Sequence, residues 1–416
     1  MLMLNKDRDH LRELAKKQME LAHSPKMSEL RKAWENHGAF SPASRPMILI
    51  EIGTFADDFL PQLMQCEGDS ARILEWELLA ATVNHTHFDD DSIVKDYIPV
   101  VPERRFIPFG IEVKTNHAKD GKGDVSLGHH FISAIGDLER DFHKLGKSVF
   151  EIKMDSLQNA INFRNEVYGD ILPAKRSGFS MYCGPTQDIV HIMSMEDMFV
   201  AMCDYPDLFN KMMTMLVDDY LEYFDLHETE SVLLPSYDEC HLAQGSYCFT
   251  DELSKQGTAL KTTELWGYLD SQETTGVSPK MFSELVAPHY SRIAARYGLL
   301  SYGCCEAVDP IWDCFLSGLD NLRKLSVSPW ANEEYIGQIL RGKKIVYMRK
   351  PSPNYLGVGA DLDEQAVTAH IDETIKFAKG CHLEIIQRDV YKINKSTEKV
   401  KRYVELIRKC SEKHMI

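Results

Sequence analysis

The sequence predicts an α/β fold, a (β/α)8 TIM barrel carrying an N-terminal helical extension, and three observations predict it. From about residue 179 onward, short apolar runs alternate with helical stretches of ten or more residues, the pattern of parallel βαβ units. Four consecutive strand–helix pairs complete the chain, which favours a barrel over an open sheet. No Gly-x-Gly-x-x-Gly follows the first apolar run, so a dinucleotide-binding sheet would lack its phosphate-binding turn. At 416 residues the chain is long for one domain, yet barrels of this kind run to that length as a single unit. Residues 1–44 are assigned to the helical extension and 45–416 to the barrel, with no internal repeat and no low-complexity linker between them.

The elements follow in order. Over residues 5–22, Leu11, Leu14, Ala15, Met19 and Leu21 fall roughly along one stripe, predicting an amphipathic helix. Ser24 followed by Pro25 starts a second helix, because serine caps the first free amides and proline suits the first turn. Arg45-Pro46 then leads into an apolar run ending at Gly53, the signature of a buried strand. Further strands are expected over 179–184, 232–237, 264–272, 299–305, 322–329, 344–351 and 383–390. Helices are expected over 185–228, 279–297, 309–316, 332–340, 364–379 and 396–409. With a candidate in 90–115 this makes about nine strands for a barrel of eight, so one, in 90–115 or at 232–237, is expected to belong to an accessory hairpin.

Charge narrows the function classes. With 63 acidic and 47 basic side chains the formal net charge is −16, a field that repels nucleic acid and anionic membrane. Neither is an expected partner. The ten cysteines show no Cys-x-x-Cys pair and no zinc-finger spacing, and a chain of this size needs no disulfide scaffold. The N-terminal residues lack the apolar core of a signal peptide, and no run approaches 18 apolar residues. A cytoplasmic protein with reduced thiols is expected.

In a barrel, chemistry sits at the C-terminal ends of the strands, which turns the strand assignments into candidate residues. They are Glu51; Tyr182 and Cys183; Asp238, Glu239, Cys240 and His241; Asp270, Gln272 and Glu273; Tyr302, Cys304, Cys305 and Glu306; Ser328 and Trp330; Arg349 and Lys350; Arg388, Asp389 and Lys392. Adjacent cysteines at a strand end point to opposite faces, so one of Cys304 and Cys305 would face the axis, as a soft-metal ligand or as a small buried apolar side chain. Asp238–His241 reads either as acid/base or ligand groups or as a solvated loop with a helix cap. Asp270–Glu273, ahead of the Ser278-Pro279 helix start, offers an acid for a metal, for a substrate group or for ordering the loop. Cys381 begins its strand and is read as structural, and His129-His130 as a surface pair.

The stretch Asp270–Glu306, with Ser278-Pro279 and Phe282 at its helix start and Pro288-His289-Tyr290 within, resembles the uroporphyrinogen decarboxylase and corrinoid-dependent methyltransferase superfamily. Pro185, the run Leu322–Trp330 and the closing Arg388-Asp389 resemble it too. The likeness covers residue 179 to the C-terminus. It implies a (β/α)8 barrel with a funnel-shaped site at its C-terminal rim, and a possible homodimer. Two departures steer the activity. In the decarboxylase the N-terminal Arg-Pro strand leads to arginines that bind substrate carboxylates, whereas Met47–Leu60 here has no arginine and three acids. Acidic side chains there would repel a polycarboxylate. In the coenzyme-directed methyltransferases a His-x-Cys and a later cysteine hold zinc; here Tyr302-Gly303-Cys304 and Arg388-Asp389 stand in those places.

The resemblance therefore implies the donor-specific branch. Such an enzyme moves a methyl group from a small donor, an O-methyl ether such as a methoxylated aromatic or a methylamine, to the cobalt of a corrinoid (cobalamin) on a separate protein. The leaving heteroatom must be protonated or polarised. Zinc on Glu273, Cys304 and Cys305 is the expected polariser, with Tyr302, Asp238, Glu239, His241 and Asp389 as proton-handling groups. Glu51, Tyr182, Gln272, Trp330 and Arg388 are expected to bind substrate. A decarboxylase or other lyase on a small carboxylic acid, or a non-catalytic corrinoid-binding barrel, are the alternatives.

Overall fold

The computed structural model describes residues 3–119, 126–257 and 259–415, the side chains of 117–119, 126–129 and 415 excepted. The predicted alternation becomes one parallel sheet: β1 (Met47–Ile50), β2 (Met181–Cys183), β3 (Trp266–Leu269), β4 (Leu299–Tyr302), β5 (Leu322–Val327), β6 (Val346–Arg349) and β7 (His382–Gln387). Its order is β1-β7-β6-β5-β4-β3-β2. The first strand thus pairs with the last, Leu49 opposite Ile386, as a closing barrel requires.

Where a ring of eight strands is expected, the main sheet among the described residues has seven, and no ladder joins β1 to β2. The free edge of β1 is satisfied by side chains instead. Asp91 accepts from Ile48 N (2.9 Å) and donates its own amide back to Ile48 O (2.8 Å), while Asp90 accepts from Ile50 N (2.8 Å). Carboxylates occupy the donors that a neighbouring strand's carbonyls would otherwise meet. Of the two doubtful strands, 232–237 is a loop, where Pro235 supplies no amide for a ladder. In the 90–115 region, Ile98–Val100 pairs only with Ala174–Arg176, and Glu103–Ile107 with Val149–Lys153. Both lie outside the main sheet.

Strand parity sorts the side chains. Ile48, Ile50, Met181, Cys183, Leu269, Leu300, Tyr302, Leu325, Val327, Tyr347 and Ile385 join the helix-covered core. The alternate residues Met47, Leu49, Met348 and Ile386 line the other, inner face, where Trp34, Tyr247 and Phe249 pack on them. Trp34 comes from the helix Pro25–Gly38, whose start is capped as expected by Ser24 accepting from Met27 N. The N-terminal helical segment is thereby built into the inner core. At roughly 25 cal/mol per Å², burying an indole of about 200 Å² contributes on the order of 5 kcal/mol before entropy. Polar inner residues also occur: Lys324 on β5 and Glu384 on β7 form a buried ion pair (2.6 Å). No helix among the described residues is long and apolar enough to cross a membrane.

Candidate functional site

The C-terminal ends of β2, β3, β4 and β7 bring acids, phenols and thiols together. Asp270 follows β3 in inward register with Trp266 and Tyr268, and is 2% exposed. The Tyr268 hydroxyl donates to its Oδ2 (2.6 Å) and the Tyr182 hydroxyl lies 3.4 Å from its Oδ1. The two phenol rings stack at 5.0 Å. Gln244 donates to the Tyr268 hydroxyl (2.6 Å), and Tyr182 also donates to Gln187 (3.0 Å).

Beneath this network lies Glu306, also buried. It accepts from Ser271 N (2.9 Å) and Cys304 N (2.8 Å). Burial, then the neighbouring Glu306 charge, push Asp270 up to about 8. Burial raises Glu306 as well, against the pull of its two amides. With those amides favouring the charged form of Glu306, Asp270 is the one that holds its proton more firmly.

Gly303, at φ +98° and pressed against Val308 and Ser326, turns the chain after β4 in a way a side-chain-bearing residue would resist. The turn sets Cys304 and Cys305 with Sγ atoms 3.6 Å apart. Cys304 is buried, 3.9 Å from the Arg388 guanidinium; Cys305 is exposed, 3.7 Å from Asp389. Its hydrogen bond with Cys305 and burial push Cys304 far up, while the same hydrogen bond holds Cys305 below the usual thiol value. Lys350 is fully enclosed, donating to Gln244 O (2.6 Å), and burial lowers it to about 7.

Two cavities flank the cluster. One of about 720 Å³ is lined by Glu51, Lys95, Tyr97, His241, Gln244 and Arg388 among others. The second, about 410 Å³, is lined by Gln187, His191, Gln272, Glu273, Cys305 and Trp330 among others. Gln244 wires Asp270 to the first and Gln187, through Tyr182, to the second.

The expected residues are distributed as follows. Glu51, His241 and Arg388 meet at the larger cavity; Gln272, Glu273, Cys305 and Trp330 at the smaller; Tyr182 and Asp389 lie between. His241 is exposed on the cavity side and stacks on Tyr247 at 5.1 Å, and desolvation by its surroundings, with Lys95 near, lowers it to about 4. Glu239 is held by Arg31 in an ion pair, and Asp238 accepts from Cys240 N (3.3 Å). Both serve the loop and line neither cavity. Tyr302 falls on the helix-facing side, fully buried beside Phe315, bonded to Ser271 Oγ (2.6 Å). It touches the cluster only through Ser271.

The zinc set does not assemble. Glu273 accepts from Thr186 (2.9 Å), and among the described residues its carboxylate and the two thiols do not all lie within 4.8 Å of one another. Cys381 bonds Gly337 O (3.5 Å) at the foot of β7, while the side chain of His129 lies outside the described residues. Tyr268 and Gln244 were not among the expected residues. The inward parity of Trp266, Tyr268 and Asp270 is the signal that could have found Tyr268; Gln244 sits on a long insertion with no such pattern.

No known family matches the sequence, and no curated protein does. Among solved structures, the fold is similar to that of a methyltransferase from Methanosarcina mazei. The TM-score is 0.51 at 13% identity, over 93% of this chain and 99% of that one. At that identity the likeness is one of fold.

Proposed function

We propose that this protein is a methyltransferase of the corrinoid-linked type, built on a (β/α)8 barrel whose eighth strand place is taken by the Asp90–Asp91 segment. It transfers a methyl group from a small methylated donor, an O-methyl ether on an aromatic ring foremost and a methylamine second, to the cobalt of a corrinoid carried by a separate protein. The fold shared with a methyltransferase supports the reaction class. The observation that carries the reading is the buried Asp270, wired by tyrosine hydroxyls toward two cavities and raised to about 8 by burial and the Glu306 charge.

In methyl transfer the carbon–heteroatom bond breaks, its electrons stay on the heteroatom, and the methyl group passes to the cobalt. The low-valent corrinoid supplies the nucleophile when its carrier protein docks over the mouth. Everything else falls to this chain. Asp270 gives its proton to the Tyr182 oxygen as Tyr182 gives its own to the departing oxygen or nitrogen, so charge never accumulates on the leaving group. Tyr268 and Gln244 fix the other side of Asp270. The exposed faces of Tyr182 and Trp330 offer ring surfaces for an aromatic donor. Trp330 and Tyr391, 76% and 74% exposed, form an apolar rim for the carrier, which must reach near-contact distance. With Glu273, Cys304 and Cys305 not gathered within ligand reach of one another, no step is assigned to zinc at the mouth.

The test is reconstitution: the chain, a reduced corrinoid protein and a methoxylated aromatic, with loss of the cobalt(I) absorption and the demethylated product as readouts. Transfer that slows 10²- to 10⁴-fold in Asp270→Asn supports the reading. Full transfer in that variant refutes it. Among the described residues the guanidinium Nε of Arg388 has no hydrogen-bond partner, which favours a lyase on a small carboxylic acid as the second reading. Release of carbon dioxide without any corrinoid protein would identify it.

A further inference from the structure

Away from the mouth, nitrogen, sulfur and oxygen donors converge beside the first helix. His10 lies on the helix Asn5–Ala22 and Glu75 on the helix Asp69–Val83, with Cys66 in the loop before it. One ligand atom of each lies within 4.8 Å of the other two, the one group of this kind among the described residues. His10 Nε2 and Glu75 Oε1 are 2.8 Å apart. Cys66 and Glu75 are buried, whereas the His10 side chain keeps 22% of its surface open. An ion would have a way in from that side.

The surroundings hold these donors in place. Gln65 N and Cys66 N donate to the two Glu75 oxygens (2.6 and 3.0 Å). Three residues before His10, Asp7 accepts from Glu67 N and Gly68 N (3.2 and 2.9 Å). Amide contacts of this kind orient a ligating carboxylate and its loop. The charge balance is a separate observation. Asp7 and Glu75 are 2% and 0% exposed, yet among the described residues Asp7 makes no ion pair and Glu75 pairs only with His10. Buried carboxylates are ordinarily neutralised by a cation or a metal ion.

We infer that His10, Cys66 and Glu75 form a binding site for a divalent transition metal of the zinc class, with the His10 side left for a water ligand. The mixed imidazole, thiolate and carboxylate set suits zinc or cobalt and disfavours magnesium or calcium. The ion takes the place of the proton between His10 and Glu75, and Cys66 releases its thiol proton to solvent as it ligates. The site clips the N-terminal helix to the helix Asp69–Val83. It is independent of the methyltransferase reading, and metal found in the whole protein would not by itself report on Cys304 and Cys305.

The experiment uses the full chain, stripped with a chelator and reloaded with zinc or cobalt(II) alone. The variants are Cys66→Ser, His10→Gln and the Cys304→Ser/Cys305→Ser pair. Expected is about one metal per chain in the parent and in the double mouth variant, and loss of it in Cys66→Ser and His10→Gln. The cobalt form should show a thiolate charge-transfer band that Cys66→Ser lacks. Failure of the parent to bind either ion overturns the proposal, as does binding that survives Cys66→Ser and disappears in the mouth variant. Should Cys66→Ser not fold, a cobalt spectrum of the parent without a thiolate band also overturns it.

Discussion

Asp270 and Glu384 are both carboxylic acids buried on the inner side of one sheet, and the fold treats them in opposite ways. Glu384, early in β7, meets Lys324 Nζ at 2.6 Å, the Ser246 hydroxyl at 2.6 Å and His37 Nε2 at 3.3 Å. Lys324 above all holds it well below the usual carboxylate range in spite of its burial. Asp270, just past the end of β3, has phenols for partners and Glu306 for a charged neighbour, and rises to about 8. An ion pair completed by hydrogen bonds fixes charge and architecture. An acid denied a cation stores a proton instead, and it does so at the open end, where chemistry is expected.

The largest effect expected from breaking this contrast is on turnover. Asp270→Asn removes the proton and should slow methyl transfer 10²- to 10⁴-fold. In the parent the rate should fall as pH rises through about 8, an alkaline limb the variant lacks. The stability sign follows from the same shift. Folded Asp270 holds a proton that the unfolded chain releases at ordinary carboxylate pH, so the parent loses stability as pH climbs from that range to about 8. Urea midpoints across that window should converge with those of the variant at low pH, apart from a constant offset.

The next effect is on folding. Glu384→Gln strands the Lys324 ammonium and should cost about 3–5 kcal/mol, measured by denaturant unfolding. Replacing both partners with apolar residues should cost less than removing one, because no uncompensated charge remains. Glu384 has the opposite linkage sign to Asp270. Its contribution is present above the ordinary carboxylate pKa and is lost as pH falls through its depressed folded value. If both acids show the same pH trend, the contrast fails.

These two acids also show what was legible in the sequence. Asp270, Glu306, Cys304 and Cys305 were found by one rule, that barrel chemistry follows strand ends, and they do converge. Strand parity would have put Tyr302 on the helix side two residues after Leu300, because its register with Leu300 is local information. The pairing of Lys324 with Glu384 spans two strands and a helix, and no pattern in the chain announces it. The missing strand had the same origin: only the fold shows Asp90 and Asp91 bonded to the edge of β1. Gln244 lies on an insertion whose course depends on Lys350 and Tyr268, contacts more than twenty residues distant in sequence. Local periodicity survives folding; polar partners chosen across the fold do not show in it.

A second change in the same network sharpens the proton route. Tyr182→Phe keeps the ring stacked on Tyr268 but removes the hydroxyl between Asp270 and Gln187. A relay through Tyr182 predicts a rate loss approaching that of Asp270→Asn, about 10²-fold or more, with donor affinity nearly unchanged. If the rate is intact and affinity falls, Tyr182 binds the donor and Asp270 reaches it by another path.

The last comparison is between neighbours in the chain, and it decides which cavity holds the donor. Cys305 is exposed and held low by its bond with Cys304, while Cys304 is buried and pushed far up. Only the thiolate is alkylated at an appreciable rate, so iodoacetamide should modify Cys305 well before Cys304, as peptide mass mapping can show. The adduct projects where Cys305 lines the 410 Å³ cavity with Glu273, Gln272 and Trp330. The 720 Å³ cavity, on the Arg388 side, is lined without Cys305. Loss of methoxylated-aromatic binding that tracks alkylation of Cys305, and not of the also exposed Cys203, therefore places the donor in the smaller cavity, under Tyr182 and Trp330. Unchanged binding places it in the larger one, and the proton must then leave Asp270 through Tyr268 and Gln244.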